Sequence, residues 1–127
     1  MAIPRILLAV PLVAAGILLP AAGADPPAPP GGVLGMRHEK FSASEVTVRC
    51  GDTLTMQNNS RWAHIIGPGQ GGTLDPPSAQ IPVSRRVLTE TGDVYTTGAW
   101  TTPGTYSLTC SVHPKMTVTV VVTDCCC

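Results

Sequence analysis

The last third of the chain alternates with a period of two on either side of a short break, and this pattern leaves few folds open. Tyr106, Leu108 and Cys110 fall on one face of an extended run that Pro103-Gly104 turns into place. Val118, Val120 and Val122 fall on one face of the next run, Thr117 to Val122. Upstream, Val46 and Val48 alternate before a Gly51-Asp52 turn, and Leu54 and Met56 alternate before Asn58-Asn59-Ser60 breaks the strand. Gly67 to Pro77 is dense in Gly and Pro and reads as a loop; Ile81 to Leu88 reads as an edge strand, because Pro82 has no N–H for a ladder. Val, Thr, Gly and Pro favour strands and turns, and no helical periodicity or internal repeat is present. Six to eight short strands at this spacing predict an all-β, two-sheet sandwich.

The chain has 127 residues, but its start has the layout of an export signal. Arg5 is followed by an apolar run from Ile6 to Leu19, then by small residues ending in Ala22-Gly-Ala24. The run is short for a membrane span and is broken by Pro11. Residues 1–24 are expected to be a cleaved signal peptide, which makes the mature protein exported, to a periplasm, a cell envelope or the outside. Cleavage removes only Arg5 from the charge count and moves the net charge from 0 to −1, so there is no basic surface for nucleic acid. Residues 25–34 (DPPAPPGG and the two that follow) form a Pro/Gly-rich lead-in. Residues 35–123 form the folded domain, and 124–127 a Cys-rich tail.

Chemistry concentrates where the regular strand ends. Cys110, His113 and Met116 set a thiol, an imidazole and a thioether three residues apart, and His64 supplies a second imidazole from an upstream loop. Since Cys110 shares a face with Leu108 and Tyr106, its thiol points inward, and a tight turn can fold His113 and Met116 back toward it. Two His, one Cys and a weak Met form the donor set of a mononuclear blue-copper site, and it suits both Cu(I) and Cu(II). Zinc held by His64, Cys110, His113 and water is chemically possible, but a Met at the next step of the spacing favours one copper ion. With four protein donors no coordination position is left open for a substrate, which argues for a carrier of electrons and against an enzyme.

These segments resemble the cupredoxin family from about Ser44 to Val122. The resemblance is carried by Val48-Arg-Cys-Gly-Asp-Thr-Leu-Thr-Met56, by Asn58-Asn-Ser-Arg-Trp-Ala-His64, and by Pro103-Gly-Thr-Tyr-Ser-Leu-Thr-Cys-Ser-Val-His-Pro-Lys-Met116. The short Cys-x2-His-x2-Met loop with Pro after the His is most similar to the amicyanins. The resemblance implies an eight-stranded Greek-key sandwich with copper at one pole. It implies His64, Cys110 and His113 as the strong ligands and Met116 as the weak axial one. It also implies transient docking of redox proteins on an apolar patch of His113, Pro114, Ile66, Gly67 and Pro68, with the protein itself a monomer that does not insert in a membrane. One position departs from the pattern: plastocyanin, azurin and amicyanin usually carry Asn directly after the first His, bracing the thiolate loop, and this chain has Ile65. Ser111 is the candidate to supply part of that brace.

The remaining cysteines are Cys50, Cys125, Cys126 and Cys127. The strand from Thr53 runs toward His64, so Cys50 starts at the opposite pole, and the strand from Thr117 runs back to that pole. A disulfide from Cys50 to one of the three terminal cysteines is therefore within reach. The thiol-rich tail keeps an alternative open, an exported copper-binding protein for delivery or storage, and a metal-free sandwich used for binding is a third reading. Met36, His38 and Glu39 are a weaker candidate for a second soft-metal spot.

Overall fold

The computed structural model describes residues 32–125, which form a β-sandwich of nine strands in two mixed sheets and no helix. The expected signal peptide, residues 25–31 of the expected lead-in, Cys126 and Cys127 lie outside the described residues; Val33 and Leu34, expected in that lead-in, instead open the first strand, and Leu34 has no exposed surface. No helix among the described residues is long and apolar enough to cross a membrane. The smaller sheet has the order β1 (Val33–Met36), β3 (Thr55–Asn58), β7 (Val94–Thr96). The larger runs β2 (Glu45–Arg49), β9 (His113–Thr123), β8 (Gly104–Cys110), β4 (His64–Gln70), β5 (Thr73–Leu74), with β6 (Arg86–Leu88) also paired to β4.

The period-two pattern becomes burial. Along β9, Met116, Val118, Val120 and Val122 are buried while the residues between them are half-exposed. Val46 and Val48 do the same on β2. Between the sheets these side chains meet Leu34, Met56, Trp100 and Leu108, all with no exposed surface. Two polar contacts fix the lower core: Trp100 Nε1 donates to Thr97 Oγ1 at 3.0 Å, and the Tyr106 hydroxyl donates to the Thr102 carbonyl at 2.9 Å. Among the described residues no buried side-chain nitrogen or oxygen lacks a partner.

Several local expectations change. Ile81 to Leu88 is not one strand: only Arg86–Leu88 joins a ladder. Before it, Pro82 has no N–H to give, and its carbonyl is taken by Gly98 N–H from another loop. Gly67 to Pro77 is not all loop. Gly67 to Gln70 extends β4, and the short hairpin to Thr73–Leu74 closes through Gly71 and Gly72, both at positive φ.

The far pole carries the staple expected of Cys50, and Cys125 is its partner. The cause is parallel pairing: β2 and β9 run side by side with Arg49 opposite Thr123, so the next residues of both strands emerge together. Their Cα atoms are 4.9 Å apart, and the bond closes a sequence separation of 75 residues.

Candidate metal centre

Three adjacent strands of the larger sheet deliver donors to one end of the sandwich. Cys110 is the last residue of β8 and His113 the first of β9, joined by the two-residue turn Ser111-Val112. His64 opens β4, whose Ile66 pairs with Cys110. One ligand atom from each of His64, Cys110 and His113 can be chosen so that all lie within 4.8 Å of one another. Cys110 Sγ is 3.8 Å from His64 Nδ1 and 3.7 Å from His113 Nδ1. His64 and Cys110 are fully buried, and His113 is half-buried.

The cluster fits a single soft or borderline cation. An ion about 2.3 Å from a thiolate and about 2.0 Å from an imidazole, with the donors trigonal around it, separates S from N by roughly 3.8 Å. The two S···N separations match that edge. Met116 lies three residues beyond His113 on β9, with no exposed surface. The structure also corrects where the donors sit: His64 is a strand residue rather than a loop residue, and His113 and Met116 begin a strand rather than occupying a turn.

A polar network that sequence reasoning missed decides the His64 tautomer. His64 Nε2 is 3.1 Å from Ser60 Oγ. That hydroxyl already accepts from Trp62 N–H at 3.2 Å and donates to Asn58 Oδ1 at 2.8 Å. A hydroxyl has one proton to give and two lone pairs, so the place left for His64 is that of a donor. Nε2 therefore carries the proton, and the bare lone pair of Nδ1 faces Cys110 Sγ. Asn58 itself is completely buried, takes a further bond from Ser60 N–H and donates to the Trp62 carbonyl at 2.8 Å. The only signal in the sequence was a polar Asn-Asn-Ser run before the His. Burial first, then the neighbouring His113 and His38, pushes His64 down from its ordinary value of 6.5 to about 4, so it stays neutral in mild acid.

The other side of the cage is braced by backbone. Ser111 N–H donates to the Ile65 carbonyl at 3.0 Å, so the Ile65–Ser111 link is made by the main chain and needs no asparagine. The hairpin tip adds a second brace: Gly72 N–H donates to the buried Thr109 Oγ1 at 3.0 Å, and Gly71 N–H to Thr117 Oγ1 at 3.3 Å. A Cβ on Gly72 would come within 2.9 Å of Pro114 Cα.

Two other expectations are corrected here. Ile66, Gly67 and Pro68 are buried in β4, paired with β8, and form no surface patch. The exposed apolar side chains next to His113 are Val112 and Pro114, the second of these as expected. Met36 is a core residue with no exposed surface, so Met36, His38 and Glu39 make no metal spot. His38 instead stacks on Trp62, with ring centroids 4.3 Å apart, and meets His113 edge-on at 5.1 Å.

No family model and no curated protein matches the chain. Solved structures of amicyanin do. A reduced proline-to-phenylalanine variant aligns at 25% identity and a TM-score of 0.57, over 72% of this chain and 80% of its own. A reduced tryptophan-to-tyrosine variant aligns at 25% and 0.57, over 81% of this chain and 85% of its own. Amicyanin from Paracoccus versutus aligns at 22% and 0.57, over 83% and 85%, a likeness of fold. In its sandwich, and in the His-Cys-His cluster at the end of the larger sheet, this chain is similar to the cupredoxins.

Proposed function

We propose that this protein is an exported type 1 copper protein that carries single electrons between redox partners outside the cytoplasm. His64 Nδ1, Cys110 Sγ and His113 Nδ1 would hold one copper ion, with Met116 as the weak fourth donor. The observation that carries the reading is the convergence of three donors, two of them buried, from three adjacent strands. A copper ion in such a set supplies one-electron chemistry between Cu(I) and Cu(II).

The residues do the rest. Cys110 and His64 exclude water from their side of the ion, and Ser60 keeps the His64 proton on the nitrogen that faces away from it. Of the three, His113 alone reaches toward solvent, beside Val112 and Pro114, so partners would dock there in small, transient encounters. With the fourth position given to Met116, no site is open to a substrate, which favours a carrier over an enzyme. The delivery alternative drew on the terminal thiols, and one of these, Cys125, is bonded to Cys50.

An absorption spectrum of the exported protein loaded with Cu(II) tests this, beside Cys110→Ala. The expected result is an intense visible thiolate-to-copper band in the wild type that the variant lacks. A colourless wild-type protein refutes the proposal.

A further inference from the structure

The two imidazoles of the cluster are held by different means. His64 has its outer nitrogen fixed by Ser60. His113 has no hydrogen bond to its outer nitrogen among the described residues; its Nδ1 faces Cys110, and its ring is contacted by two others. One is the His64 ring, tilted by 53° at 5.1 Å. The other is the His38 ring, which meets it at 85° and 5.1 Å.

His38 comes from the turn after β1, closed by Arg37 N–H donating to the Lys40 carbonyl at 2.9 Å, and is exposed to solvent. An exposed side chain keeps one rotamer only when something holds it, and here its ring lies nearly flat on Trp62, 13° from parallel. Trp62, at 43% exposure, is held by its own backbone: its carbonyl accepts from Asn58 Nδ2 and its N–H donates to Ser60 Oγ. The buried Asn58–Ser60 network that selects the His64 tautomer thus also seats Trp62.

We infer that His38, clamped by Trp62, is a positioning residue that fixes the ring of His113 from the solvent side. This rests on the reading of His113 as a copper ligand. His38 donates nothing to the ion; it narrows the orientations of a half-buried imidazole that has no hydrogen bond to orient it. Outer residues that orient a ligand typically change metal affinity 10- to 100-fold when removed.

The test is a double-mutant cycle on copper affinity, with proton NMR of the copper-free protein beside it. His38→Ala and Trp62→Ala are each expected to weaken binding about 10-fold. The double variant should be no weaker than either alone, because both remove one clamp. His38→Phe, which restores an aromatic edge, should return affinity to within about twofold of wild type. In the copper-free wild type, a nuclear Overhauser contact between the His38 and His113 rings is expected, and Trp62→Ala should abolish it. Losses that add in the double variant, or a His38→Phe variant as weak as His38→Ala, overturn the inference. So does the absence of the ring contact in the wild type. A wild-type protein that takes up no copper while keeping the ring contact refutes the ligand assignment instead, which separates the two failures.

Discussion

Burial of His64 makes the copper-free protein sensitive to mild acid, and the size of the effect follows from its proton equilibrium. The folded protein holds the imidazole neutral down to about pH 4, whereas the unfolded chain protonates it at its ordinary value of 6.5. Between those limits the unfolded state binds more protons, so stability falls as the pH falls. The penalty is near zero at pH 8 and grows to about 1 kcal/mol at pH 6 and about 2 kcal/mol at pH 5. It reaches about 3 kcal/mol near pH 4, where it levels off as the folded form also takes up the proton. Urea unfolding of the copper-free protein at half-unit steps from pH 8 to pH 4 measures this. Carboxylates titrate in the lower part of the same range, so the curve should be read against His64→Gln, which has no proton to gain. The wild-type minus variant difference should be flat above pH 7 and should drop steadily below it. A difference that stays flat to pH 4, or one that rises, refutes the claim that desolvation dominates at this residue.

Opening the far pole with Cys50→Ser should cost about 4 kcal/mol in the loop-entropy account for a closure of 75 residues, read as a lower urea midpoint for the oxidised protein. Its visible copper spectrum should be unchanged, because the bond lies at the pole opposite the cluster. Ser60→Ala removes the acceptor for His64 Nε2 and should lower copper affinity about 10-fold while leaving the sheet structure, seen by circular dichroism, intact.

That Cys110 and His113 come together was legible because a strand has a period of two and the hairpin that follows Cys110 is short. A thiol on the face of Leu108 has to point inward, and His113 three residues on has to return beside it. The Cys50 staple was legible for a similar reason: chain direction alone sends both ends to one pole. What the sequence concealed depends on contacts between distant segments. Ile66, Gly67 and Pro68 look like exposed loop residues, yet they pair with β8 inside the larger sheet and are buried. Asn58 and Ser60 read as turn-formers, since polar residues after a strand usually are. Only with Trp62 and His64 folded over them do they become a hydrogen-bonded hub. His38 paired by proximity with Met36 in the sequence, but Met36 ends β1 in the core, and the turn that follows carries the imidazole out to a tryptophan far along the chain.

The contact between Gly72 and Pro114 gives the hairpin tip leverage over its neighbour. Any side chain at Gly72 would force apart two backbones that now touch, on a residue whose φ of +85° already suits glycine alone. The segment displaced would be the start of β9, where Pro114 adjoins His113. A substitution in the hairpin would therefore press on His113 through its neighbour, a mechanical push that leaves every side chain of the His-Cys-His cluster unaltered.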